Sequence, residues 1–127
     1  MPLTIGLRAK TNGTDIDIGY ARGTILLDHK HFRKQLFIAD ITETGDEYRV
    51  HKNCGIIPVD EFVEIEWMIG KEIMAVKVNG ELRYADSDCK YMKVLMENPE
   101  LEITSPVMVY TMCGATVTVE SLRVTEL

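Results

Sequence analysis

Two glutamates, Glu64 and Glu66, stand one residue apart in the run Val63-Glu64-Ile65-Glu66-Trp67. On a strand, such residues project from one face, roughly 6–7 Å apart along the chain. That is near the ~5–5.5 Å between the two carboxylates of a retaining glycosidase. Solvated acids on an outer face produce the same pattern. A second group is Tyr48, Arg49 and His51 on one strand, with Tyr20, Tyr84 and Tyr110 elsewhere. Sugars are held by an aromatic face against their C–H groups and by planar donors and acceptors for their hydroxyls. Arg8, Tyr48, Arg49, Glu64, Glu66 and Lys77 supply these groups and can line one ligand-binding surface. Met108, Tyr110 and Met112 share a strand face and would add an adaptable apolar stripe.

Other chemistry is weaker. His29, His31, His51 and Cys54 match the spacing of no zinc module. Asp15, Asp17, Asp86 and Asp88 are spaced acids without the dense Asp/Asn loop that calcium prefers. The expectation is therefore no metal and no cofactor. Cys54 lies near His51 but carries no activating signal. Asn12-Gly13-Thr14 spells a glycosylation sequon and reads as a hairpin turn.

The elements that must position these groups are strands. Ile5, Leu7 and Ala9 alternate with Thr4, Gly6, Arg8 and Lys10. Ile16, Ile18 and Tyr20 follow the Asn12-Gly13 turn, and Arg22-Gly23 turns into Thr24–Asp28. Residues 29–35 are basic and polar and read as a loop. Leu36–Ile41 and Glu47–His51 flank a turn at Thr44-Gly45-Asp46, and Pro58 precedes an edge or connecting segment, Val59–Phe62. Val63, Ile65, Trp67 and Ile69 share one phase, which places Trp67 in the core, with Glu64 and Glu66 opposite. Asn79-Gly80 is the strongest two-residue hairpin signal, because both positions of a type I′ turn need positive φ. Three consecutive antiparallel strands thus span Val63–Tyr84. Ser87–Met96 is the one helical candidate, stopped by Pro99. In the final strand Val117 and Val119 share a phase that Leu122 and Val124 reverse, which predicts a β-bulge near Glu120-Ser121. Nine or ten evenly spaced strands with short turns make a sandwich or barrel.

The chain has 127 residues, 46% of them hydrophobic, which fits one domain over residues 1–127. Its net charge of −6 repels phosphate backbones, so nucleic-acid binding is not expected. No apolar run approaches the ~20 residues of a membrane-spanning helix. Met1-Pro2-Leu3-Thr4 carries no secretory pattern. Three cysteines, an odd number with no CxxC spacing, read as reduced thiols and a cytoplasmic location.

The block Val63–Tyr84, with its Trp-bearing strand and its Met74-Ala75-Val76-Lys77-Val78-Asn79-Gly80-Glu81 hairpin, resembles the concanavalin A-like lectin/glucanase jelly-roll superfamily. The closing strand Val119–Leu127 is similar to the last strand of that group, and Asn12–Ile16 fits its early hairpin more loosely. The resemblance covers about half the chain. It implies an all-β antiparallel two-sheet sandwich with at most one short helix, and a concave sheet that recognises a glycan. The glucanases of the fold place acids as E-x-[DE]-x-x-E; Glu64 and Glu66 supply the first two positions, but Ile69 occupies the third. That departure favours a non-catalytic, lectin-like carbohydrate-binding module. The alternatives are a ligand-sensing or homo-oligomerising domain of a larger bacterial regulator, and a glycoside hydrolase with rearranged acids.

Overall fold

The computed structural model describes residues 3–21, 23–42, 45–87, 97–98, 100, 107–111 and 114–126; for 32, 39–42 and 45–49 it describes the backbone alone. Within it run β1 (Leu3–Thr11), β2 (Ile16–Tyr20), β3 (Gly23–His29), β4 (Phe32–Thr42), β5 (Gly45–His51), β6 (Val63–Ile69), β7 (Met74–Val78), β8 (Glu81–Asp86), β9 (Met108–Tyr110) and β10 (Val117–Glu126). They form two five-stranded sheets. The first has the order β10-β1-β6-β7-β8, the second β5-β4-β3-β2-β9, and neighbours within each are antiparallel.

Period-two patterning becomes the layer structure directly. In β1 and β6 every second residue is buried: Leu3, Ile5, Leu7 and Ala9 on one, Val63, Ile65, Trp67 and Ile69 on the other. They meet Ile16, Ile18, Ile25, Leu27, Leu36 and Ile38 of the second sheet in one core. Trp67 and Ile5 pair directly across the β1–β6 ladder and are both fully buried. Each such side chain contributes about 1.5–3 kcal/mol. At the other edge the His51 and Tyr84 rings lie 4.3 Å apart, closing β5 over β8.

The turn chemistry matches at Asn79-Gly80, where φ is 50° and 79°. The predicted bulge is present: the β1–β10 register shifts between Arg8, opposite Ser121, and Ala9, opposite Val119, leaving Glu120 as the extra residue. Its effect is that Val117, Val119, Leu122 and Val124 all face the core side.

Four local expectations are corrected. Asn12-Gly13 is not a hairpin turn, because β1 and β2 belong to different sheets. Neither residue has positive φ. Asn12 instead clamps the approach to β10: its Oδ1 accepts from the Thr116 amide at 2.7 Å, and its amide donates to the Thr116 carbonyl at 3.1 Å. Residues 29–35 are not a loop, since β3 and β4 pair through a tight turn with His29 opposite Phe32. Gly23 opens β3 rather than sitting in a turn. Gly45 and Asp46, expected in a turn, instead open β5 opposite Thr42 and Ile41. The helix expected over Ser87–Met96 falls on 88–96, outside the described residues, as does Thr44.

The hydrophilic 29–35 segment folds tightly because of Asp28. This residue has φ of 56°, a conformation a carboxylate side chain can compensate by local hydrogen bonding. Its side chain is buried, and four donors converge on it. Oδ1 accepts from Arg33 Nε at 2.8 Å and from the Lys34 amide at 2.9 Å. Oδ2 accepts from Arg33 Nη2 at 3.2 Å and from the Ile57 amide at 2.9 Å. One carboxylate thus ties the β3–β4 hairpin to the segment between β5 and β6. Arg33 is half exposed, so the loss on removing the carboxylate falls mainly on the amides that donate to it, of which that of Ile57 is buried; a buried donor left unanswered costs about 1–3 kcal/mol, added to the lost charge-assisted bonds. Asp28→Ala is expected to lower the melting temperature by about 10 °C or more by calorimetry, whereas Lys30→Ala, an exposed neighbour, should leave it within about a degree. Equal melting of the two variants would show that the carboxylate anchors nothing.

Candidate functional site

The alternation that buries Trp67 sends the intervening residues to the outer face of the first sheet. There the strand register arranges them in rows. Across β1 and β6, Arg8 lies opposite Glu64 and Gly6 opposite Glu66; across β6 and β7, Glu66 lies opposite Lys77. On the other side of β1, Gly6 lies opposite Arg123 and Arg8 opposite Ser121. Four of the predicted ligand residues, Arg8, Glu64, Glu66 and Lys77, are therefore neighbours on one surface.

They are not equivalent. Arg8 bridges two carboxylates, its Nη1 to Glu64 Oε1 at 3.0 Å and its Nε to Glu120 Oε2 at 2.5 Å. The bond to Glu120, then that to Glu64, hold its guanidinium above the ordinary arginine range. Phe62 lies beneath two cations, 5.3 Å from Arg8 Cζ and 5.0 Å from Lys10 Nζ. The Asn79 Oδ1 accepts from the Glu64 amide at 2.8 Å and fixes the start of β6 against the β7–β8 turn. Glu66 and Lys77, by contrast, form no ion pair among the described residues. Gly6, beside them, leaves a notch: a Cβ placed there would meet only the Arg123 carbonyl, at 3.9 Å.

Tyr48, Arg49 and Tyr110 do not join this surface. Tyr48 and Arg49 lie on β5 of the second sheet, and their side chains are outside the description. Tyr110 lies on β9, at the far edge of that same sheet. Its hydroxyl is hydrogen-bonded to Thr24, which in turn donates to the Ile18 carbonyl at 3.1 Å. Val109 packs on the core while Met108 is exposed, so the Met/Tyr stripe faces away from the sandwich interior; Met112 falls outside the described residues. Phe62, Asn79 and Glu120 join this surface in addition to the expected ligand residues; the sequence marks Asn79 only as a turn residue and Glu120 only as a bulge residue, while Phe62 shares the phase of Glu64 and Glu66.

The remaining candidates are structural in placement. Cys54 is buried; burial pushes its thiol above the ordinary value, and Sγ donates to the His51 carbonyl at 3.4 Å. His29 is buried, and its Nδ1 accepts from the His31 amide at 3.1 Å.

The outer face of the second sheet holds a different cluster. Asp15 and Asp17, at i and i+2 on and before β2, are both fully buried. Thr111 Oγ1 donates to Asp15 Oδ1 at 2.8 Å. Neither oxygen of Asp17 makes a well-formed hydrogen bond among the described residues, although the Leu27 amide and the Asp15 carboxyl stand near enough to act on it. Burial, reinforced by the neighbouring Asp15 carboxyl and opposed by the Leu27 amide, pushes Asp17 up to about 9. Tyr110, opposite Asp17 across the ladder, is also raised, by burial first.

No family model matches the chain, and no curated protein matches it in sequence. Solved structures match it in fold. Sheep galectin-11, in complex with glycerol, superposes with a TM-score of 0.61 at 7% identity, over 97% of this chain and 89% of the galectin. Alginate lyase A1-II′, a member of polysaccharide lyase family 7, superposes at 0.53 and 13% identity in one structure and 0.51 and 12% in another. The chain spans 62% and 61% of those lyase chains. The fold is accordingly a concanavalin A-like β-sandwich jelly roll, shared with a lectin and with carbohydrate-active lyases.

Asp17 makes a pH prediction. Its folded-state value lies far above its ordinary 3.8. From about pH 4 to pH 9 the folded protein therefore holds more protons than the unfolded chain, and Asp17 subtracts stability progressively as pH rises through that window. Asp17→Asn, which mimics the protonated acid, is expected to raise the melting temperature at pH 8 by about 4 °C or more and by clearly less at pH 5. A shift of equal size at both values would mean that this carboxyl does not titrate abnormally.

Proposed function

We propose that the chain is a non-catalytic glycan-binding module whose ligand lies on the outer face of the first sheet, over the Gly6 notch. The observation that carries this reading is the pair Glu66 and Lys77, adjacent, half-buried and in no ion pair among the described residues, beside a glycine whose missing side chain leaves open space. Glu66 offers acceptors and Lys77 offers donors, the complement a sugar hydroxyl needs. Arg8 and Glu64, locked to each other, form a rigid wall rather than an adaptable one, so little side-chain entropy is lost on binding. Phe62 supplies an aromatic body at the margin of the same surface. Positive and negative groups alternate here although the chain as a whole carries −6. A mixed surface of this kind suits a neutral or weakly charged oligosaccharide better than a polyanion.

The reading places no catalyst at the acid pair. Glu64 is held by Arg8, and the residue three positions beyond Glu66, Ile69, is buried on the opposite face. Acid–base chemistry at a glycosidic bond needs a second carboxyl free to exchange protons. The shared architecture with a glycerol-bound galectin and with a lyase solved with product supports a carbohydrate ligand without fixing its identity.

A glycan array followed by calorimetric titration of the best hit tests this. Glu66→Ala and Lys77→Ala are each expected to weaken binding about tenfold, the effect of one charge-assisted hydrogen bond, while keeping the wild-type melting temperature within about 2 °C. Gly6→Phe should abolish binding by filling the notch. An array with no hit, or a hit indifferent to all three substitutions, would remove the proposal; release of shortened sugars by mass spectrometry would replace it with the hydrolase or lyase reading.

A further inference from the structure

We propose that Asn79-Gly80 is a site of covalent modification by water, at which Asn79 becomes aspartate and isoaspartate, and that Asn12-Gly13 is held back from the same reaction. These are the two Asn-Gly pairs of the chain. In the reaction the glycine amide nitrogen attacks the Cγ carbonyl carbon of the asparagine. A ring C–N bond forms, the bond to Nδ2 breaks, and ammonia leaves with the amide proton. Water then opens the succinimide at one carbonyl or the other, giving aspartate or isoaspartate. Glycine permits the attack because it has no side chain in the way and reaches backbone conformations closed to other residues.

The two asparagines are bonded alike. Asn12 donates its amide to the Thr116 carbonyl at 3.1 Å and accepts the Thr116 amide on Oδ1 at 2.7 Å. Asn79 donates its amide to the Glu64 carbonyl at 2.7 Å and accepts the Glu64 amide on Oδ1 at 2.8 Å. In each, a backbone N–H points at the oxygen on which negative charge develops during attack. Both asparagines are exposed to water. The glycines are what separate the sites. The Gly13 amide, the attacking group, is committed to Thr11 Oγ1 at 3.1 Å, and Thr11 is fully buried. Gly13 is also packed: a Cβ placed on it would stand 2.6 Å from that of Ala115. The Gly80 amide makes no backbone hydrogen bond among the described residues. Gly80 is exposed, and nothing lies within 4 Å of where its Cβ would be. To reach the Asn79 side chain it must swing out of the turn, and exposed loop tips of this kind open readily. At Gly80 the excursion displaces no neighbour. At Gly13 it breaks the bond to Thr11 and pushes against Ala115. The modification bears on the outer face of the first sheet. Aspartate at 79 keeps an acceptor for the Glu64 amide, but isoaspartate adds a carbon to the main chain and withdraws the clamp from the start of β6, where Glu64 is paired with Arg8.

Peptide mapping of the intact chain, aged in mildly alkaline buffer well below its melting transition, is the test. Trypsin puts the two pairs on separate peptides, Thr11–Arg22 and Val78–Arg83, and mass spectrometry reads the gain from amide to acid in each. Conversion in Val78–Arg83 is expected to run at least about tenfold faster than in Thr11–Arg22, since a hydrogen bond and a packing contact must be given up at Gly13 and neither at Gly80. In the urea-unfolded chain the two rates should converge. Thr11→Val keeps the shape of the buried side chain and removes its hydroxyl. It should speed reaction at Asn12 about fivefold, the worth of one hydrogen bond, and leave Asn79 unchanged. The comparison within the wild-type chain decides the matter if that variant misfolds. Equal rates in the folded chain, faster conversion at Asn12, or an Asn79 that stays intact while the unfolded chain reacts would each overturn the proposal. A folded Thr11→Val chain with Asn12 as slow as before would overturn the protection assigned to Thr11.

Discussion

The β1–β6 ladder is the constraint on which the rest of the molecule depends. In it Ile5 faces Trp67, and one step along Gly6 faces Glu66. The first pair is wholly buried and belongs to the core; the second belongs to the polar outer face. Because strand side chains alternate with a period of two, the burial of Trp67 determines the exposure of Glu66. A slip of one residue would invert both faces together. The core thus holds the register, and the register holds the surface. Arg8 meets Glu64, and Glu66 meets Lys77, because the apolar residues between them have nowhere else to go.

Two buried carboxyl sites mark opposite extremes of polar burial. Asp28 receives four hydrogen bonds, two from one guanidinium, and can be buried as an ion because every lone-pair direction is answered. It therefore serves as a knot between the β3–β4 hairpin and the segment leading to β6. Asp17 has the same degree of burial and no well-formed hydrogen bond among the described residues, with a second carboxyl beside it. Two adjacent carboxylates cannot both ionise cheaply without solvent, so the proton stays. The same residue type stabilises the fold as a charge at one site and survives at the other by remaining neutral.

Much of this architecture is legible in the chain. The alternation in β1, β6 and β7, the Asn79-Gly80 turn and the phase reversal in β10 all act between sequence neighbours, and each appears in the structure. The split of the expected ligand set between the sheets does not have a local signal. The short turn before Glu47 joins β5 to β4, but nothing near Tyr48, Arg49 or Tyr110 records that this hairpin and β9 lie in the sheet opposite β6; that is a matter of topology, fixed by contacts between distant segments. Asn12-Gly13 misleads for a related reason. Its composition suits a tight hairpin, but Asn12 is committed to Thr116, more than a hundred residues away. The compact turn after β3 depends on Arg33 and the Ile57 amide reaching Asp28, and a basic stretch gives no hint that it folds around one acid. Phe62 carries a local signal, the phase it shares with Glu64 and Glu66.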